Sequence, residues 1–291
     1  MSKTIFDSPG SRVRLDDIPT EPPKGMTKAK AEKRFATLGQ ELFNLQEAMF
    51  GAKVHSVLVV LQGRDSAGKD GTITHVAGCL NPRGVSVTSF GVPTPEERDH
   101  DFLWRVHRHT PRRGEFALFN RSHYEDVLVV RVHDLAPKKL WKERYEHISD
   151  FEELLAEHNT IVLKYFLHIS KDEQKQRLLE RESDREAAWK LNPNDWKERD
   201  RWEEYTTAYE DAISKTAARH APWIIVPANA KWYRNLVVAE SIAAALRDHR
   251  RYWEKTLEDM GKAGRAGLNA YRAQLAVQKK TGARPQVRKK T

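Results

Sequence analysis

The chain has 291 residues, enough for one well-buried catalytic domain with extensions and too few for several large independent ones. Fifty Lys and Arg against 41 Asp and Glu give a net charge of +9, so the expected partners are anionic: polyphosphate, nucleotides, nucleic acid or acidic lipid. The single cysteine, Cys79, excludes an intrachain disulfide, no apolar run approaches the roughly 18 residues of a membrane span, and no charged-then-apolar leader is visible near Met1. A soluble cytoplasmic protein is expected, with no membrane partner.

Residues 1 to about 30 mix Pro9, Gly10, Pro19, Pro22, Pro23 and Gly25 with charges and read as an irregular surface arm. Over 27–50, Phe35, Leu38, Leu42, Leu45 and Met49 recur at three- and four-residue spacing, which predicts an amphipathic helix ended by Gly51. Five short apolar runs follow, at 57–61, 85–90, 115–119, 161–167 and 223–226, each of a length and composition suited to a strand buried on both faces. They alternate with helix-patterned segments, two of which open on capping-box signals: Thr94-Pro95-Glu96-Glu97, and Ser170 with Glu173. The alternation predicts an α/β fold of three layers (αβα) around a parallel five-stranded sheet. The stretch 176–209 is dense in charge and Trp, is broken at Asn192-Pro193-Asn194, and reads as a solvated helical hairpin. From Gly261 the chain is basic and poor in large apolar residues, which predicts a flexible tail. The resulting division is 1–53 for the arm and first helix, 54–262 for the main domain with a lid at about 176–209, and 263–291 for the tail.

The strongest motif is Gly63-Arg64-Asp65-Ser66-Ala67-Gly68-Lys69-Asp70, directly after the first strand and opening a helix through Gly71-Thr72-Ile73. In this P-loop spacing, glycines let backbone N–H groups turn toward phosphate oxygens, the helix N-terminus adds partial positive charge, and the lysine reaches the phosphates. Gly63, Ala67, Gly68, Lys69, Asp70 and Gly71 are therefore the candidate phosphate ligands. The Ser or Thr that usually follows the lysine and holds Mg²⁺ is Asp70, which argues against a simple ATP cradle. Asp65 lies inside the loop, where a carboxylate among phosphates is unfavourable unless a metal or an arginine neutralises it. Arg177, Arg181 and Arg185 share one helical face and either close over a polyanion or pair with Glu180, Glu182 and Glu186. Arg83, in Asn81-Pro82-Arg83-Gly84, is either a phosphate ligand or part of a surface turn. His107-x-His109 lacks a completing ligand set and reads as structural, and Trp189, Trp196 and Trp202 read as packing for the hairpin.

Several further stretches accompany the loop: Leu80-Asn81-Pro82-Arg83-Gly84, Leu103-Trp104-Arg105, Phe119-Asn120-Arg121-Ser122-His123-Tyr124-Glu125-Asp126-Val127-Leu128, Phe166-Leu167-His168-Ile169-Ser170 and Ala208-Tyr209-Glu210-Asp211-Ala212. Together, from about Leu42 to Arg247, the sequence resembles the polyphosphate kinase 2 family. Glu125, where other branches carry Asn, looks like the class III subgroup, whose members phosphorylate both AMP and ADP. The resemblance implies a thymidylate-kinase-like P-loop fold with a helical lid, assembled as a homodimer or homotetramer. It also implies a reversible, direct transfer between inorganic polyphosphate and AMP, ADP and ATP, with no nucleic acid required. The family often has Asp before its conserved arginine; here that residue is Asn120.

The expected site places Lys69 and Arg121 on oxygens around the transferring group, with Arg83, Asn120 and Arg121 on the nucleotide. Asp65 and Glu125 are expected to hold Mg²⁺, with Mn²⁺ as a substitute. A nucleotide phosphate is already a nucleophile at neutral pH, so no general base is expected, and His123 is not read as a phosphohistidine. An ATP-dependent nucleoside monophosphate kinase would call for Ser or Thr at position 70. A non-catalytic polyanion-binding module leaves Asp65, Asp70 and Glu125 unexplained.

Overall fold

The structure is a computed structural model describing residues 4–184, 189 and 191–281. Six strands form one sheet: β1 (Thr4–Phe6), β2 (Ser56–Gln62), β3 (Val85–Ser89), β4 (Phe116–Asn120), β5 (Thr160–His168) and β6 (Trp223–Pro227), in the order β1-β6-β5-β2-β4-β3. The last five are parallel, as the apolar runs predict. The sixth is a correction to the arm: Thr4–Phe6 pairs antiparallel with β6.

Alternation along each strand divides the core in two. Val57, Val59 and Leu61 of β2 face one side with Phe116, Leu118 and Tyr165, under α1 (Lys28–Ala52), α2 (Lys69–Ala77) and α10 (Lys231–Thr281). Leu58 and Val60 face the other with Phe119, Phe166 and Trp223. The short α3 (Pro95–Asp99), α4 (Trp104–His107) and α5 (Val129–Val132), the long α6 (Lys138–Glu157), and α7 (Lys171–Ser183), α8 (Pro193–Asp200) and α9 (Trp202–Thr216) complete the helices. No helix among the described residues is long and apolar enough to cross a membrane.

Gly51 does not end α1. Thr27 caps its start through Oγ1 to Lys30 N, and the helix runs to Ala52, where Lys53 turns left-handed at φ 52°. A Cβ on Gly51 would stand 2.9 Å from Leu257 Cδ2, so this glycine serves the close approach of α10. The two helices run side by side in the same direction, tied by Glu41 to Arg247 through two bonds of 2.6 and 2.7 Å. The segment expected as a flexible tail from 263 continues α10 as helix through Thr281.

The first capping box forms and the second forms only in half. Thr94 and Glu97 form the reciprocal box. Ser170 Oγ accepts from Glu173 N, while Asn229 Oδ1 takes the Ser170 N–H and leaves the Glu173 carboxylate to Arg177.

Candidate active site

The P-loop occupies the carboxyl end of central strand β2, between the ends of β4 and β5. Gly63 and Gly68 are required there: their φ values are 153° and 98°, and a Cβ on Gly68 would overlap the Arg234 guanidinium. Ser66 and Arg121, though not glycines, are also left-handed, at φ 64° and 62°. Such backbone costs on the order of 1 kcal/mol each and collects where function over-determines the chain.

Lys69 folds back over the loop, donating to the carbonyls of Gly63 (2.7 Å) and Arg64 (3.3 Å). Burial, followed by the nearby Arg121 charge, lowers its pKa. Arg121, just past β4, bridges two carboxylates: Nη2 donates to Asp65 Oδ1 at 2.8 Å and Nη1 to Glu125 Oε2 at 3.2 Å. Glu125 is the main reason its pKa is raised. Asn120, the last residue of β4, donates from Nδ2 to Asp70 Oδ1 at 2.6 Å, and its Oδ1 is buried with no hydrogen-bond partner among the described residues. The sequence-predicted residues Asp65, Lys69, Asp70, Asn120, Arg121 and Glu125 thus converge on one floor.

An open cleft of about 660 Å³ lies on that floor, with Lys231, Arg234 and Arg181 on its walls. Arg181 reaches across from α7, donating to Ser66 Oγ and Asp195 Oδ2, both at 2.7 Å. A smaller pocket shares Asp65 and Arg121 with the cleft, is lined also by Glu125, and is closed by Trp202, Tyr205 and Tyr209. There the Arg64 guanidinium lies 3.7 Å from the centre of the Trp202 ring.

Two expected ligands are elsewhere. Arg83 sits before β3, whose first residue Val85 is level with Phe116 and Val57. It is therefore at the amino end of the sheet, exposed in a short turn beside Phe50 and a strand's length from the loop, so the structure does not bring it to the other candidate ligands. Arg177 is buried and is a clamp rather than a free phosphate ligand. Its five donors go to Glu173 Oε1 and to the carbonyls of Ser66, Ala67, Ala228 and Asn229, tying the loop to α7 and to the turn before α10. Arg185 lies outside the described residues.

The remaining motifs are structural. His123 is fully buried against Glu152 (3.1 Å). Glu152 also accepts from Tyr124 Oη at 2.9 Å and from Lys164 Nζ, so a buried polar cluster fixes the turn carrying Glu125. Lys164 was visible in sequence as a lone charge in an apolar strand, but its partner was not. Trp202 packs on Arg64 and Trp196 bonds Glu182, and Trp189 is 79 % exposed on the cleft rim.

Arg234 was missed. It is buried, donates to Ala67 O at 3.1 Å and to Asn235 Oδ1, and meets no carboxylate among the described residues. Burial, with Arg177 adding to it, brings its pKa down to about 10. No local pattern in Lys231-Trp232-Tyr233-Arg234 marks it; only the fold brings this turn against Gly68.

Among the described residues no three His, Cys, Asp or Glu form a metal cluster. Magnesium needs no such cage, since it takes one or two carboxylates together with substrate phosphates and water. The floor fits that habit: Arg121 uses one oxygen each of Asp65 and Glu125, and Asn120 Oδ1, buried beside Asp70, accepts no hydrogen bond from the described residues.

Residues 25–253 match the family described as Polyphosphate kinase 2. An AMP/ADP-polyphosphate phosphotransferase of Meiothermus ruber is 51 % identical over 219 residues, which are 75 % of this chain and 82 % of that one. An ADP-polyphosphate phosphotransferase of Rhodopseudomonas palustris is 38 % identical, over 85 % of this chain and 90 % of its own. The crystal structure of Polyphosphate Kinase 2 from Arthrobacter aurescens TC1 superposes with a TM-score of 0.80 at 40 % identity, covering 84 % of this chain and 90 % of that one. With the P-loop, the Arg121 bridge and a match across most of its length, this chain belongs to the polyphosphate kinase 2 family.

Proposed function

We propose that the protein transfers the terminal phosphoryl group of inorganic polyphosphate to AMP and ADP, yielding ADP and ATP. The observation that carries this reading is Arg121 spanning Asp65 and Glu125 beside Lys69, on the floor of a cleft walled by Arg181, Lys231 and Arg234. Phosphoryl transfer asks chiefly for in-line positioning and for neutralisation of spread negative charge. The floor supplies fixed cations around the transferring group, and Asp70 in place of Ser or Thr disfavours an ordinary ATP cradle. Lys69 leaves its loop carbonyls for phosphate oxygens, and Arg121 orients the transferring group. Asp65 and Glu125, with Asn120 and Asp70, hold Mg²⁺ or Mn²⁺ together with substrate. Bound there, the metal neutralises phosphate charge. The name of the Meiothermus relative supports use of both AMP and ADP. We further place the protein in the cytoplasm as a homodimer or homotetramer, following the family expectation.

The test is to incubate the protein with long-chain polyphosphate, Mg²⁺ and either AMP or ADP, without a nucleoside triphosphate, and to resolve the nucleotides by chromatography. AMP should yield ADP and then ATP. Product from ADP alone would remove the dual-acceptor reading. Product from neither, with AMP kinase activity once ATP is added, would replace polyphosphate by ATP as the donor.

A further inference from the structure

The net charge of +9 is distributed very unevenly. Residues 259–291 hold nine Lys and Arg against one acid, Asp259, a net of +8, whereas residues 1–258 hold 41 against 40 and are almost neutral at +1. The family match stops at residue 253. Beyond it α10 continues past the end of α1, which lies level with Leu257, and runs as helix to Thr281. At 1.5 Å per residue, the last 24 residues add roughly 36 Å to the helix. Arg265, Arg272 and Lys279 on this extension are exposed, and none meets a carboxylate among the described residues. They recur every seven residues and so form one basic stripe along the helix.

We infer that this extension is a docking arm for the polyphosphate chain, outside the catalytic cleft. The inference rests on the proposed function for its choice of polyanion. Two observations favour a polyanion without bases. The stripe contains no aromatic, and Tyr271, the one aromatic of residues 259–291, is about a quarter turn away from it. Proteins that hold single-stranded nucleic acid instead interleave cations with stacking platforms. The second is position: α10 starts at the cleft with Lys231 and Arg234 and carries its charge away from it. Arg265 is roughly 51 Å along the helix from Lys231, so a long polymer can engage both and a short one cannot. Engagement at the arm raises the effective concentration of chain ends at the cleft without touching the reacting atoms.

The test compares the full chain with one stopped after Glu258 and with the helix-preserving variant Arg265→Glu/Arg272→Glu/Lys279→Glu. The substrates are polyphosphate of about 100 phosphates and of about 10 phosphates, with ADP as acceptor. Both variants should raise KM for the long chain about tenfold at low salt while kcat and the short-chain KM hold, and added KCl should erase the difference. An unchanged long-chain KM, with the short chain still turned over, overturns the arm and leaves the proposed function standing. An equal rise for both lengths overturns it too, because the extension would then act on the cleft. If single-stranded RNA binds the full chain through the stripe more tightly than long polyphosphate, the partner is nucleic acid and the inference fails. No turnover of either length by the full chain removes the proposed function itself.

Discussion

Asp70 and Asn120 are two departures from the usual pattern that the structure turns into one unit. The P-loop position that usually carries a hydroxyl holds a carboxylate, the strand end that often carries a carboxylate holds an amide, and the two are joined by a 2.6 Å hydrogen bond. The charge is still present on this floor but has moved from β4 to α2. Asn120→Asp would set two carboxylates face to face with no donor between them, which forces a proton onto one. Asp70→Asn would keep the shape and lose the charge. Each single change should lower kcat about tenfold, equivalent to roughly 1.4 kcal/mol in the barrier. The exchange Asp70→Asn/Asn120→Asp should recover to within about threefold of the parent, because it restores one carboxylate and one amide donor. An exchanged protein as slow as the worse single variant, with unchanged melting, would mean the two positions are independent.

At the scale of elements, the arm is held by the end of β5. His168 Nε2 donates to the carbonyls of Leu15 (3.0 Å) and Ile18 (3.2 Å), and Nδ1 is buried without a partner among the described residues. Burial, with the Arg64 charge adding to it, pushes the His168 pKa down to about 4 from 6.5. The unfolded chain therefore takes up this proton first, and stability falls as pH drops through the window from about 6.5 to about 4. At about pH 5 the loss should be about 2 kcal/mol relative to about pH 7, measured by denaturant unfolding. His168→Gln, which keeps an N–H donor and cannot titrate, should lose that much less over the same interval. Equal pH slopes would show that His168 is not the acid-sensitive group.

The same region shows what the sequence could reveal. The five parallel strands were legible because each is a short apolar run between charged helices, and the loop because its glycines are fixed by backbone geometry. The strand Thr4–Phe6 was not, since three residues carry no period and β6 supplies its pairing from more than two hundred residues away. Gly51 looked like a stop signal because the neighbour that needs its missing Cβ, Leu257, is equally remote. Arg177 and Arg181 share one helical face, so only the fold could make the first a clamp on the loop and the second a wall of the cleft.

For the whole molecule, the two ends beyond the family match of 25–253 differ in kind. The amino-terminal end is built into the fold. Val13 and Leu15 belong to the core, Leu15 N donates to Glu210 Oε1 at 2.8 Å, and Asn229 Nδ2 donates to Thr20 Oγ1 at 3.1 Å. Burying two such side chains contributes about 1.5–3 kcal/mol each. Removing residues 1–24 should therefore lower the melting temperature by about 6 °C or more, since each kcal/mol shifts a domain of this size by about 2–4 °C. The carboxyl-terminal extension has exposed side chains almost throughout and buries little, so stopping the chain after Glu258 should leave melting within about 2 °C. The net charge of the sequence belongs chiefly to this second end, and on the nearly neutral body the cleft sets Lys69, Arg121, Arg181, Lys231 and Arg234 among carboxylates. A large melting loss on carboxyl-terminal truncation would mean that the extension is covered by another subunit in solution, because the chain's own body gives it almost nothing to pack against.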